Sequence, residues 1–231
     1  MKIFVMVIAA GLMLLSNVSY SADLDEYIQQ KCDDNEYWLC VLLGNRYRNG
    51  DGVKKDLDKA VKILTKACDG GNAKGCTVLG VMHQMGEGLS QDKLKAVELY
   101  TKGCDGGEVD GCLNLGFMYG RGEGVRQDKL KAVELYTKAC DGGKAMGCSN
   151  LGLLYSRGEG VSQDHFKAVE LYTKGCDGGH AMGCLSLGAV YYRGEGVRQD
   201  SARALEFFGK ACDLKNGDGC KRYAILKELG R

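Results

Sequence analysis

The sequence predicts an all-α fold, a solenoid of stacked helix pairs, from two observations. First, twelve cysteines recur with a short and a long separation in strict alternation, so the chain repeats every 36 residues. Second, each period holds two apolar stripes at helical spacing and no sustained two-residue alternation, so helices are expected and strands are not. Repeats of this length stack on their neighbours to bury a shared core.

The repeat divides the chain into one solenoid, residues 23–231. Its full units are expected at 36–71, 72–107, 108–143, 144–179 and 180–215, with capping half-units at 23–35 and 216–231. The last half-unit is rich in charged residues, among them Lys221, Arg222, Lys227 and Glu228. Because an end repeat has no neighbour on one side, a polar outer face there would keep the solenoid in solution.

Unit three illustrates how each unit is read. A first helix is predicted over 109–120 and a second over 129–140, from their apolar stripes. Gly122 and Gly124 break the chain between them, since glycine tolerates positive φ. Asp128 is expected to cap the second helix.

The N-terminus is predicted to be a secretory signal. Lys2 supplies a positive charge, residues 3–15 are apolar or small, and small residues follow, so 1–22 is expected to be cleaved after Ser21 or Ala22. The alternative is a retained anchor, but about 13 apolar residues fall short of the roughly 20 that span a bilayer. Without a second such run, the mature chain is not expected to insert into a membrane.

The twelve cysteines are predicted to form six disulfides, because an even number in an exported chain indicates a disulfide framework. Pairing across the shorter separation would clamp each unit to the next. The expected bridges are Cys32–Cys40, Cys68–Cys76, Cys104–Cys112, Cys140–Cys148, Cys176–Cys184 and Cys212–Cys220. The alternative, pairing across the longer separation as in Cys40–Cys68, would instead join helices within a unit.

The repeated motif resembles the Sel1-like repeat, a relative of the tetratricopeptide repeat. In unit three it reads Leu115-Gly116-x-x-Tyr119-x-x-Gly122-x-Gly124-Val125, then Asp128, Ala132-Val133, Leu135-Tyr136 and Lys138-Ala139-Cys140. The cysteine pair in every unit resembles the Helicobacter cysteine-rich secreted proteins. The resemblance implies a right-handed α/α solenoid that assembles other proteins. Two positions depart from the pattern, since His83 and Phe208 replace tyrosines. Neither departure changes the expected fold.

The same resemblance implies an alternative function, since the cysteine-rich branch has been described as penicillin-binding or as weak β-lactamases. Ser90 and Lys93 form the single S-x-x-K match, without the companion motifs that a serine β-lactamase needs. We interpret it as a chance match and predict no catalytic residue. The histidines His83, His165 and His180 fall in separate units, so no metal site and no cofactor are predicted. A structural envelope protein is the second alternative.

The predicted function is the binding of a peptide or protein in a concave groove lined by the first helices. Residues on the exposed face of these helices change from unit to unit, although all units share the same packing demands. The candidate binding residues are Asn114, Asn150, Phe117, Leu153, Met146, Met182, Arg121, Arg157 and Arg193. The asparagines can bond a peptide backbone and the arginines a carboxylate. The competing interpretation is that they solvate the inner face, the arginines acting on helix C-termini.

The charge balance bears on the partner. Loss of the signal removes Lys2 and no acid, which leaves 30 basic and 30 acidic residues. A balanced chain gives no reason to expect nucleic acid as the partner. The partner is therefore expected to be a peptide or protein of the bacterial envelope or of a host, met by a secreted or periplasmic monomer.

Overall fold

A computed structural model describes residues 16–230 and shows twelve helices, with no strand in that part of the chain. They are α1 Ser16–Asp33, α2 Tyr37–Asn49, α3 Leu57–Asp69, α4 Ala73–Met85, α5 Lys93–Asp105, α6 Val109–Arg121, α7 Lys129–Asp141, α8 Ala145–Arg157, α9 His165–Asp177, α10 Ala181–Arg193, α11 Ser201–Asp213 and α12 Gly217–Leu229. The even-numbered helices are the first helices of the units and the odd-numbered ones the second helices.

Each helix packs mainly on the helices before and after it in the chain, which makes the molecule a solenoid, as predicted. Successive first helices also touch each other directly, at α2 with α4, α4 with α6 and α8 with α10.

The predicted helix ends are confirmed. Asp128 caps α7 by accepting a hydrogen bond from the backbone N–H of Lys131, 2.9 Å away, and the other units repeat this cap. Gly122 follows α6 in the left-handed region at φ +72°. Gly124 lies against the backbone carbonyl of Lys93 in the preceding unit, where a Cβ would clash. Gly122 therefore ends the first helix, and Gly124 leaves room for the backbone of the preceding unit.

The core is built from the repeated small and apolar positions. The alanine that recurs in the second helices, for example Ala132, is fully buried. Gly116 of α6 lies against the ring of Tyr136, which a Cβ there would approach to 2.9 Å. Met118 was not part of the predicted apolar stripe of this helix, yet its side chain is fully buried.

Six disulfides join each unit to the next in the predicted order, and pairing across the longer separation does not occur. The Cα atoms of each pair lie 4.4 to 4.8 Å apart. Each bridge ties the last turn of a second helix to the first turns of the following first helix. Disulfides of this number favour an oxidising compartment.

The two ends of the chain add two findings. The apolar run at residues 3–15 lies outside the described residues. Helix α1 continues back to Ser16, so cleavage after Ala22 would leave its part from residue 23 onward. No described helix is long and apolar enough to cross a membrane.

At the C-terminal end of the solenoid, α12 is less polar than expected, because Ile225 and Leu229 are largely exposed.

Candidate functional site

A cavity of about 250 Å³ opens between α6 and α8 and reaches the second helix α7. Its lining consists of Phe117, Gly120, Arg121, Lys129, Tyr136, Asn150, Leu153, Leu154, Arg157 and Glu159. Five of these ten are candidates from the sequence: Phe117, Arg121, Asn150, Leu153 and Arg157. The structure thus brings together residues from two units into one site.

The floor of the cavity is the side chain of Tyr136, which reaches through from α7. Its ring is buried against Gly116, and its hydroxyl points past Gly120, where an added Cβ would lie 3.6 Å from the oxygen. Burial raises the pKa of Tyr136 to about 12, although Arg121 and Asn150 act in the opposite direction. The hydroxyl is therefore protonated at neutral pH and can donate a hydrogen bond into the cavity.

Gly120 is the reason that this floor is open. The corresponding position in α4 is Gln84, whose side-chain oxygen accepts a hydrogen bond of 2.6 Å from the Tyr100 hydroxyl. In α8 it is Ser156, a small polar residue that acts to lower the pKa of Tyr172. Only a hydrogen atom stands at this position in α6, so Gly120 leaves the Tyr136 hydroxyl open towards the cavity, where Asn150 is its polar neighbour.

The rim of the cavity carries three cations and one carboxylate. Lys129 pairs with Glu159 at 2.8 Å, and Arg157 approaches the same carboxylate at 3.5 Å. Arg121 stacks over the ring of Phe117, with 4.1 Å from its guanidinium carbon to the ring centre. Within residues 16–230 no carboxylate pairs with Arg121. The rim is therefore positive and can accept an anionic group.

Four predicted residues lie outside this cavity: Asn114, Met146, Met182 and Arg193. Asn114 is half-buried on α6, while Met146 and Met182 are exposed at the N-terminal ends of α8 and α10. The Met182 sulfur accepts a hydrogen bond of 3.4 Å from the Asn216 amide. These residues extend the exposed face of the first helices without sharing the pocket.

Arg193 is occupied within its own unit, where it forms a bidentate pair with Glu195 at 2.6 and 2.9 Å. The equivalent glutamates Glu123 and Glu159 pair instead with a lysine of the preceding unit. At that place unit four has His165 in contact with the following turn. Arg193 is the cation that pairs with Glu195, so it is less available to a ligand.

The S-x-x-K match does not form a nucleophile and base. Ser90 is exposed in the turn before α5, where Asp92 caps the helix through the backbone N–H of Lys95. The Lys93 amine is paired with Glu123 at 2.9 Å. Neither group is therefore arranged to activate the other.

The histidines also lie apart from one another. Burial lowers the pKa of both His83 and His180, so each is largely neutral at pH 7. In the described part of the chain no group of three or more His, Cys, Asp or Glu side chains is arranged to hold a metal ion.

Comparison with known proteins adds the family. The sequence profile of the Sel1 repeat matches five consecutive segments, at residues 39–72, 73–108, 109–144, 145–180 and 181–216. The chain belongs to the Sel1 repeat family. Proteins of this family are generally scaffolds for protein–protein interaction. No curated protein sequence matched the chain.

Solved Sel1 repeat structures match the fold. The protective antigen c5321 of uropathogenic Escherichia coli, which displays an SLR fold, is 32% identical with a TM-score of 0.84 over 89% of this chain. This chain spans 44% of the length of that antigen. A Sel1 repeat protein of Oxalobacter formigenes is 25% identical with a TM-score of 0.81, covering 93% of this chain and 89% of its own length.

The matches also include cysteine rich protein B of Helicobacter pylori, from the branch that the cysteine spacing resembles. It is 36% identical, with a TM-score of 0.46, and covers 57% of this chain and 94% of its own length.

Proposed function

We propose that this Sel1 repeat protein is an exported scaffold that binds an extended peptide segment of a partner protein along its first helices. The observation that carries the proposal is the cavity opened by Gly120. It combines an apolar wall, the Tyr136 hydroxyl, the Asn150 amide and the positive charge of Arg121, which has no carboxylate partner in the described residues. Such a set of groups suits a peptide side chain together with its backbone.

The exposed face of the first helices supports a site longer than one cavity. Asn114 lies one repeat before Asn150, and Met146 and Met182 continue the face at the N-terminal ends of α8 and α10. A peptide lying across successive first helices would meet one new set of side chains per repeat. Repeat proteins commonly bind their partners on such extended surfaces.

Export is the second part of the proposal, and it is supported by the six disulfides. A cytosolic chain would meet reducing conditions in which twelve thiols are not kept bridged. The predicted signal at 1–22 would deliver the chain to the periplasm or beyond. There the bridges would hold the units in register without a partner, so that the groove is formed before a ligand arrives.

The groove can be tested by closing it. Gly120→Gln should place an amide where Gln84 lies in unit two, with its oxygen bonded to the Tyr136 hydroxyl. Peptides selected by the oxidised wild-type chain from a random phage library of 12-residue peptides would then be measured by fluorescence polarisation. We expect Gly120→Gln to weaken their binding at least tenfold.

The same variant separates binding from folding. Replacing a helical glycine removes a conformational penalty of about 0.5–1 kcal/mol, so Gly120→Gln should melt no lower than the wild type. The matched control is Ala202→Gln, at an exposed position of α11, which should leave binding unchanged. If the library yields no binders, or binders indifferent to Gly120→Gln, the proposed function is wrong.

A further inference from the structure

A second cavity, of about 130 Å³, lies between α10 and α12. It is lined by Tyr192, Phe208, Arg222, Ile225, Leu226 and Leu229. Each of these positions lies two full repeats beyond a residue that lines the first cavity. The two cavities therefore lie at equivalent positions of the repeat and are lined by different side chains.

The second cavity is more apolar than the first at its floor and on one side of its rim. In the second cavity Phe208 replaces Tyr136, so the floor has no hydroxyl. Leu229 stands in place of Arg157, so one rim cation is replaced by an exposed apolar side chain. Arg222 stands in place of Asn150, and its guanidinium carbon lies 5.8 Å from the centre of the Phe208 ring. This cavity suits an apolar side chain.

Resting on the proposed function, we infer that the groove recognises a bipartite extended peptide: an acidic group for the cavity at Arg121 and Arg157, and a large aliphatic or aromatic side chain for the cavity at Ile225 and Leu229. Charge complementarity selects the acidic group, since three cations face one carboxylate at the first cavity. The ligand is a segment of a partner protein.

The repeat geometry sets the separation of the two peptide groups. Packed helices lie about 10 Å apart, so two repeats separate the cavities by about 20 Å. An extended chain advances about 3.3 Å per residue, so the acidic and apolar side chains should be about six residues apart. Between the cavities the peptide passes α10, where the half-buried Ser186 offers a hydroxyl to a backbone.

The test is a selection in which each cavity can be disabled separately. A random phage library of 12-residue peptides is panned against the immobilised oxidised chain. We expect enrichment of Asp or Glu paired with Leu, Ile, Phe or Met at a separation of five to seven residues. Enrichment without a preferred separation would overturn the inference.

Two double variants assign the ends of the motif. Arg121→Gln with Arg157→Gln should abolish the preference for an acid, keep the apolar preference, and weaken a selected peptide about tenfold, the loss of one charge-assisted contact. Ile225→Ser with Leu229→Ser should abolish the preference for an apolar side chain and keep the preference for an acid. Lys102→Gln with Lys138→Gln, two exposed cations one repeat apart on second helices, is the charge-matched control and should change neither preference.

The outcomes separate this inference from the proposed function. If both double variants lose the same preference, the two cavities do not read separate side chains and the inference is wrong. If the selected peptides lack the spaced pair but still depend on Gly120, peptide binding stands and the bipartite motif falls. If no selected peptide responds to Gly120→Gln, both fall together.

Discussion

The first and second helices of the same units differ in how much they vary. In units two and three the second helices α5 and α7 differ at one position of thirteen, whereas the first helices α4 and α6 differ at eight. Both kinds of helix pack against neighbours on either side, so packing alone does not explain the contrast. In these two units the second helices are nearly identical while the first helices change, and between successive first helices lie two unlike cavities.

Even the single difference between α5 and α7 follows from packing. Gly103 of α5 lies against the hydroxyl of Thr77, where a Cβ would clash, and Gly175 of α9 meets Ser149 in the same way. In unit three the corresponding first-helix residue is Leu113, and the second helix there carries Ala139. In these three units the second helix carries Gly where the facing first-helix residue is Thr or Ser, and Ala where it is Leu.

The largest effect is expected from two leucines of α8 that lie two residues apart. Leu151 is buried in the core, at 4% exposure, and Leu153 is exposed beside the cavity. Leu151→Ala should lower the free energy of unfolding by about 2–4 kcal/mol through loss of burial and a cavity. Leu153→Ala should lower it by less than about 0.5 kcal/mol. Urea unfolding of the oxidised proteins measures both, and equal losses would contradict the division between repeated and varying positions.

A somewhat smaller loss is expected when one bridge is removed from the middle of the array. Cys140→Ala with Cys148→Ala opens a ring of nine residues, which the chain-entropy relation values at about 2.5 kcal/mol. The same change at Cys212 and Cys220 concerns only the junction with α12, so the urea midpoint should move less. Circular dichroism against urea compares the two, and a terminal loss as large as the central one would argue against stacking by neighbours alone.

The smallest effect is a dependence on acid. Cations lower the pKa of three turn carboxyls: Arg48 for Glu87, Lys129 for Glu159 and Arg193 for Glu195. The folded chain therefore binds protons less readily than the unfolded chain at these groups. Their stabilisation is present above the ordinary pKa of about 4.5 and is lost as the pH falls through the lowered folded values.

Because these pairs are about one-third exposed, each contributes about 0.5 kcal/mol or less. Glu87→Gln with Glu159→Gln and Glu195→Gln should reduce stability at pH 7 and make the urea midpoint less sensitive to pH between 7 and 3. An unchanged pH dependence would show that other carboxyls dominate. Glu134→Gln, on the exposed face of α7, is the control within one unit.

Most of the fold could be predicted from the sequence because each demand recurs five times. The cysteine spacing indicated the bridges, and the recurring Asp and Gly residues indicated the helix ends. The site was predicted only in part. Phe117, Arg121, Asn150, Leu153 and Arg157 share a face and were found, but Tyr136 belongs to a packing stripe and becomes a floor only because Gly120 is small. The pattern Arg48, Gln84, Gly120, Ser156 and Tyr192 at that position was the available signal.

Arg193 shows the other limit of the sequence. As one of a row of three arginines it was grouped with Arg121 and Arg157, yet its carboxylate partner is decided by a residue of the preceding unit. Where unit three has Lys129, which pairs with Glu159, unit four has His165, and the next glutamate, Glu195, binds Arg193 instead. Such a coupling crosses a unit boundary and depends on side-chain conformation, which a periodic pattern does not reveal.

The central claim is that the varying face of the first helices binds while the repeated second helices hold the fold. Hydrogen exchange of the oxidised chain with and without a selected 12-residue peptide tests it most directly. The account predicts added protection in the C-terminal turns of α6 and α8, around 117–121 and 153–157, with α5, α7 and α9 unchanged. Protection confined to the second helices would contradict it.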